Sequence, residues 1–411
     1  MNSANLSNLS LPDCNVAVLE PPGGTAVDPR EAAEEAVENP HGPPLSEIVS
    51  PDETVAIVVT DVTRATPDDI LLDVLLSELK EAGVPRNQIT VVIGLGLHRP
   101  MTDTEIADAL GEHADLAENH NADSVVEVGR VESGETEIPI ELNPTVANAD
   151  RVLSTGMVEP HQYAGFSGGA KTVAIGAGGE SLIRYTHGPE MLAHDGVRLG
   201  RIENNPFRET LDEAGDVIGV DFCLNVTHGP DGVLGASAGH HRDVVFDLAE
   251  TAKEVLSVQV EGKFDAVVAG VPEAKATNLY QATRAATYVV LGDRNPLRSG
   301  GRVVVPAELS EGAGEGRGEK RFYDRLAGAT DPESLYEEMR SGYEPGAQRA
   351  FVVARALRGH DVYVTGSEHP EVVEDCLMHA RESVADAIEP RSDVLVVPNA
   401  LETLLVRPVR D

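Results

Sequence analysis

The chain has 411 residues, 41% of them hydrophobic, which is enough for two domains and a substantial core. Sixty-nine acids face 32 bases, a formal net charge of −37; this excludes a nucleic-acid or anionic-membrane binder, because both partners are held by basic contacts. No run of about 18 apolar residues is present, so no membrane span is expected, and the three scattered cysteines, Cys14, Cys223 and Cys376, give neither a disulfide framework nor a paired metal site.

Taken in chain order, TVAIVVT (54–60) is a β-branched run and reads as a buried strand. DDILLDVLLSELKEAG (68–83) has helical spacing and stops at Gly83. QITVVIGLG (88–96) is a second strand, and TDTEIADALGEH (102–113) opens with a Thr102–Glu105 capping box and reads as a helix. RVLSTG (151–156) is a third strand, and HRDVVFDLAETAKEVLSV (241–258) a long amphipathic helix. A second alternating series begins at FDAVVAG (264–270) and runs through a helix around 278–290 to the strand GRVVVPA (301–307). Helices near 332–340 and 346–358 and the strands DVYVTGS (361–367) and DVLVVPN (393–399) complete it. EGAGEGRGEK (311–320) reads as a Gly-rich charged loop. The fold class is therefore α/β, with mainly parallel sheets flanked by helices. The expected domains are 1–260 and 261–411, the last residues packing back on the first domain.

Ligands in open α/β sheets gather beyond the C-terminal ends of strands. Three unusual polar groups follow the predicted strands. DVTRATP after the first carries Asp61, Thr63 and Arg64; Arg64 offers a planar fork for a carboxylate or phosphate, or else pairs on the surface while Asp61 caps the next helix. LHRPMT after the second carries His98, behind the close-approach glycines Gly94 and Gly96. The densest follows RVLSTG: His161, Ser167, Gly168, Gly169, Lys171 and His187 lie within MVEPHQYAGFSGGAKTVAIGAGGESLIRYTHGPE. Ordering so many glycines is costly, which points to a ligand or a tight backbone path. GFSGGAKT (165–172) is one glycine short of a phosphate-binding P-loop, with Ala170 in the sixth place, and AIGAGG is a poor helix continuation behind Lys171 and Thr172. No apolar strand ending in a metal-binding Asp stands out as its partner. In the second half, Tyr280 and Arg284 share a helix face, with Gln281 beside them.

Together, DVTR (61–64), GLGLHR (94–99), HQYAGFSGGAK (161–171), His187 and NLYQATR (278–284) resemble the nickel-dependent lactate racemase family, in the right order over about 220 residues. The resemblance implies a two-domain enzyme with its active site in the interdomain cleft. It implies a nickel pincer nucleotide, a pyridinium mononucleotide with two sulfur-containing arms, attached covalently at Lys171 with His187 as nickel ligand. His98 and His161 map to acid and base. Arg64, Gln281 and Arg284 map to the substrate carboxylate and cofactor surroundings; Asp61, Thr63, Ser167, Gly168, Gly169 and Tyr280 map to supporting or cofactor-binding positions. The implied activity is racemisation or epimerisation of lactate or a related 2-hydroxy acid by reversible hydride transfer through a 2-oxo acid. Cofactor-biosynthesis enzymes are implied as transient partners.

The chain departs from the family in three places. Arg284 stands where lactate racemases carry a lysine, Ile175-Gly176 where Pro-Gly is common, and there is no Trp for the second-domain pocket wall, whose counterpart falls near Ala347 and Gln348. These differences leave the particular 2-hydroxy acid open. The spread of acids and the six lysines suggest a halophile's protein, and with the resemblance an acidic, haloarchaeal-type member is expected. MNSANLSNLSLPD lacks the blocks of a secretory leader, so a cytoplasmic location is expected, and Asn-Val-Thr at Asn225 reads as an incidental glycosylation match. The alternatives are a P-loop-like nucleotide hydrolase and a non-catalytic protein that binds a hydroxy acid or cofactor.

Overall fold

Val55–Val59 is buried at every position, as a strand covered on both faces must be. It is a central strand of a six-stranded sheet in the computed structural model of the chain, which describes residues 6–11, 13–133, 136–344 and 346–408. The sheet runs in the order Gly232–Gly239, Val220–Gly229, Arg151–Met157, Val55–Val59, Ile89–Ile93, Ala117–Asn119. Its neighbours pair in parallel except the first two, which form an antiparallel hairpin. The helix Asp68–Glu81 buries Leu71, Leu72, Leu75 and Leu79 in the same core as Ile57, Val59, Val91 and Leu153. The capping box at Thr102 and Glu105 is formed, starting the helix Asp103–Leu110.

The second sheet is parallel throughout, in the order Asn15–Val18, Asp393–Val397, Phe264–Ala269, Leu297–Pro306, Asp361–Thr365, His379–Arg381. All seven strands expected from the sequence are therefore present in mainly parallel sheets flanked by helices. Among the described residues no helix is long and apolar enough to cross a membrane.

The chain divides into two compact units. One holds Gly23–Thr186 and Gly200–Val255 and contains the first sheet; the other holds Met1–Pro22, His187–Leu199 and Leu256–Asp411 and contains the second. The short pair Ser257–Gln259 and Leu404–Val406 lies within the second unit.

Two local readings change. The loop expected over 311–320 is interrupted by the helix Arg317–Ala327, whose Glu319 carboxylate accepts the Gly316 N–H at 2.6 Å. Gly318 and the dense charge mask its start, but Phe322 and Leu326 supply a buried face. A helix also begins beside Lys171, at Ala170–Ala174, although it stops after five residues.

Candidate active site

Asp61 leaves its strand end buried, while His98 beyond the neighbouring strand is exposed. The His98 Nδ1 lies 2.6 Å from Asp61 Oδ2. The other Asp61 oxygen accepts the Thr63 N–H at 3.0 Å and the Thr63 hydroxyl at 2.5 Å. Burial pushes the Asp61 carboxyl up, but the hydrogen bonds from His98 and Thr63 outweigh it and hold the group below its ordinary value. Asp61 therefore stays an anion that orients His98 with Nε2 turned outward from the pair. It does not cap the following helix, which starts behind Pro67 with no side-chain cap.

Arg64 pairs with Glu159, a residue the sequence reading passed over. Glu159 lies just beyond the strand Arg151–Met157, the position that singled out its neighbours, but an acid among so many carried no signal. His161 follows, and its Nδ1 accepts the Tyr163 N–H at 3.3 Å and the Ala164 N–H at 3.1 Å. Two donors at Nδ1 place the proton of the neutral imidazole on Nε2. His98 and His161 are thus held in opposite senses: one donates through Nδ1, the other accepts there.

The Gly-rich stretch is tied down from within. The Ser167 hydroxyl donates to Met157 O at 2.6 Å and accepts the Glu159 N–H at 3.0 Å. Gly168 and Gly169 have left-handed φ of 79° and 59°. A Cβ at Gly168 would fall 2.6 Å from Val158 Cγ2, and one at Gly169 2.6 Å from His241 O, so neither place admits a side chain. What presses on these glycines is the protein itself.

Lys171 follows in the first turn of the helix Ala170–Ala174. It keeps some exposure, yet protein atoms crowd the amine; this desolvation, then the Arg64 and Arg208 cations, push its pKa down to about 7 against the opposing pull of Glu159 and Asp61. The side chain makes no hydrogen bond or ion pair among the described residues. Arg208 is also new: it is 1% exposed on the helix Pro206–Ile218, 2.7 Å from Asp212. Beneath the first strand end, Asp68 is fully enclosed and accepts the hydroxyls of Thr60 and Thr155 at 2.6 and 2.5 Å. Burial, against those bonds, pushes its carboxyl up to about 6.

His98, His161, Lys171, Asp61, Thr63, Arg64, Ser167, Gly168 and Gly169 all belong to the first unit. The other predicted residues belong to the second. Asn278 caps the helix Leu279–Leu291 by accepting the Gln281 N–H at 3.0 Å. Tyr280 sets its ring edge-on to Phe322, centroids 5.6 Å apart. Among the described residues Gln281 Oε1 and Arg284 Nε are buried without a partner, an arrangement that costs free energy unless a ligand completes it. Below them Arg349, 2% exposed, reaches Thr283 and Thr287 at 3.1–3.3 Å and fixes the helix. The His187 carbonyl accepts the Tyr343 hydroxyl at 2.6 Å.

These residues suit the cofactor implied by sequence on chemical grounds. An amine held near neutrality serves as a covalent tether, an imidazole at 187 is a nickel-compatible ligand, and the orphaned Gln281 and Arg284 atoms await polar partners.

Residues 3–200 match the family described as Lactate racemase N-terminal domain. The chain is 26% identical over 392 residues to a lactate racemase of Thermoanaerobacterium thermosaccharolyticum, covering 90% of this chain and 89% of that protein. It is 26% identical over 398 residues to a lactate racemase of Lactiplantibacillus plantarum, covering 92% and 91%. The lactate racemase apoprotein structure from T. thermosaccharolyticum superposes with a TM-score of 0.85 at 24% identity, covering 97% of this chain and 96% of that one. A Thermotoga maritima protein superposes with a TM-score of 0.67 at 17% identity, covering 93% and 98%; likeness at these identities speaks for the fold. The sequence relatives extend over most of the chain, and the protein is an isomerase of the racemase type.

Proposed function

We propose that the chain inverts the C2 centre of a 2-hydroxy acid, lactate or a close relative, with a nickel pincer nucleotide attached at Lys171 and ligated by His187. Its acidic surface suits a cytoplasm rich in salt. The carrying observation is one strand-end cluster in which a carboxylate-backed histidine, His98, accompanies a lysine whose amine is held at about 7.

The α-hydrogen of a 2-hydroxycarboxylate is poorly acidic, because its loss as a proton builds charge beside a carboxylate. The cofactor, when bound, supplies reversible hydride acceptance at that carbon. The protein's own groups do the rest. His98 removes the hydroxyl proton at Nε2, and the Asp61 anion at Nδ1 stabilises the imidazolium that forms. The planar 2-oxo acid that results presents either face; return of hydrogen to the other face, with the carbonyl oxygen taking its proton back from the His98 imidazolium, inverts the centre. His161 faces the substrate oxygen as an Nε2–H donor in its resting tautomer. Arg64 offers its planar fork to the carboxylate while the intermediate turns, and Arg284 is assigned to the substrate or cofactor surroundings. A substrate carboxylate shares Arg64 with Glu159. Lys171 contributes its amine, so its low pKa serves attachment by the biosynthetic enzymes rather than charge.

The test is intact mass with nickel analysis on protein from a host that makes the cofactor, followed by chiral chromatography over a panel of 2-hydroxy acids. A covalent adduct, stoichiometric nickel and inversion of at least one acid are expected. A bare-chain mass without nickel would overturn the reading.

A further inference from the structure

The Asn-Val-Thr triplet at Asn225 sits inside the strand Val220–Gly229. Asn225, Val226 and Thr227 are all 0% exposed, so no glycan can be carried there. The triplet instead grips the active-site loop. Asn225 Oδ1 accepts the Gly169 N–H at 2.8 Å. The Thr227 hydroxyl donates to Val158 O at 2.7 Å, and the Val158 N–H donates to Val226 O at 2.8 Å.

The Gly169 bond is the informative one. Gly169 is the residue from which the helix Ala170–Ala174 starts, and Lys171 stands two places on. Its left-handed turn with Gly168 is held at consecutive residues from two elements: Asn225 binds the Gly169 N–H, and Arg208 donates to Gly168 O at 3.4 Å. A Cβ at Gly168 would come within 2.7 Å of Asn225 Oδ1, so the amide also fixes how closely the turn can approach the strand. The fit has a cost, since Asn225 Nδ2 is buried without a partner among the described residues. Stability alone does not favour an orphaned donor. An Asp would remove the orphan but add an anion near Lys171, which favours the ammonium form. Asn accepts the Gly169 N–H without adding an anion beside the lysine.

We propose that Asn225 is a positioning residue for Lys171: by holding the Gly169 N–H it fixes the turn that aims the lysine amine into the cluster of Asp61, Arg64 and Glu159. Its consequence for cofactor attachment rests on Lys171 being the anchor, but the positioning itself does not. The charged groups acting on the amine are Arg64 and Arg208, which favour its neutral form, and Glu159 and Asp61, which oppose it. If the turn relaxes, the amine regains water and its ordinary basicity.

The experiment uses the full chain made without the cofactor pathway, so its outcome is separable from that of the nickel assay. Trace acetic anhydride is applied across a pH series, and acetylation of Lys171 is read by peptide mass spectrometry against Lys80 and Lys320. Two variants remove the acceptor: Asn225→Leu keeps the shape, and Asn225→Ser leaves room for a water at Gly169. Thr227→Val removes the neighbouring bond as a control. The expected result is a Lys171 midpoint raised by about one pH unit or more in the Asn225 variants, about fivefold or more less neutral amine at pH 7, with Thr227→Val at the parent value. An unmoved midpoint in a folded Asn225 variant overturns the proposal. So does an equal shift in Thr227→Val, which would make the triplet a general brace, and so does failure of both Asn225 variants to fold, which would assign the residue to folding alone.

Discussion

His98 donates through Nδ1 to Asp61 Oδ2 at 2.6 Å, and Asp61 is held in turn by both the N–H and the hydroxyl of Thr63. The carboxylate has no free rotation, so the ring it grips presents Nε2 in one direction. An exposed histidine gains a fixed orientation from a buried anion.

Asp61→Asn tests that relationship. The amide is isosteric, but its NH2 edge can force the opposite tautomer on His98, and it no longer stabilises an imidazolium. Turnover should fall by about 100-fold or more with a melting temperature near the parent's. Because the folded carboxyl lies below its ordinary value, it is charged in both states at neutral pH, and its stabilising effect is lost only as pH falls through the acid range. A parent-like turnover at pH 7 would remove Asp61 from the reaction.

His98 and His161 should respond differently to glutamine, whose side-chain NH2 reproduces an Nε2–H donor but not a base. His98→Gln is expected to lose about 10²- to 10⁴-fold in kcat/KM. The loss must be equal in both directions, because two enantiomers have the same free energy and their kcat/KM ratio is fixed. His161→Gln retains the donor that the backbone bonds at Nδ1 impose, and should keep at least tenfold more activity than His98→Gln. Equal losses would show that His161 also works as a base and must leave its Nδ1 bonds during turnover.

Much of this was legible in the sequence because strand ends are. The β-branched runs at 54–60, 88–96 and 151–156 gave the strands, and their exits gave Asp61, His98 and His161 without any contact information. What the pattern lacked was the second layer. Asn225 and Arg208 reach the Gly168–Gly169 turn from positions 56 and 40 residues away in sequence, and no local period encodes such a meeting. Glu159 is hidden by the acidic background, and the helix Pro206–Ile218 is signalled only by Asn205 and Pro206, a cap and a first-turn proline. The capping box at Thr102 was readable because both its partners lie within one turn.

Lys171→Arg separates amine from charge. The guanidinium keeps a cation but has no neutral amine near pH 7, so covalent mass and tightly held nickel should both be lost from a folded chain. The stability effect has a definite sign. The folded pKa, about 7, lies below the ordinary 10.5, so the buried ammonium is costly below about 7 and the cost fades as pH rises toward 10. Lys171→Met should therefore raise the melting temperature at pH 6, by the equivalent of roughly 1–2 kcal/mol once partial exposure is allowed for, and lose that gain at pH 10. A destabilised Lys171→Met at pH 6 would contradict the crowding around the amine.

The net charge of −37 predicts how the whole chain meets salt. Like charges on a compact surface repel, and the screening length shrinks from about 10 Å at 0.1 M to about 3 Å at 1 M. The melting temperature should rise steeply between 0.1 and about 2 M KCl. Potassium chloride is the informative salt because it screens charge without the strong exclusion effect of sulfate. A melting temperature flat over that range would separate the acidic composition from any adaptation to salt.

Asp68 gives the sharpest stability test, because its two oxygens accept hydroxyls that can themselves turn round. Its carboxyl is raised from 3.8 to about 6, so the folded chain holds this proton more tightly than the unfolded chain. Between about pH 4 and 6 the folded state binds more protons, and stability from this group falls as pH rises through that window. Above about 6 the full penalty of a buried anion is in force. Asp68→Asn removes the charge and keeps the shape: its Oδ1 accepts one threonine hydroxyl, and its NH2 donates to the other, which a rotatable hydroxyl allows. The variant should be more stable than the parent at pH 7.5, by at most about 3 kcal/mol for a shift of about two units, and no more stable at pH 4. Paired urea titrations at the two values measure the difference directly. A gain that is the same at both would mean that packing, not the charge, separates the two side chains; a loss at pH 7.5 would mean that the threonines are locked as donors and the Asp68 anion is the form that the fold was built around.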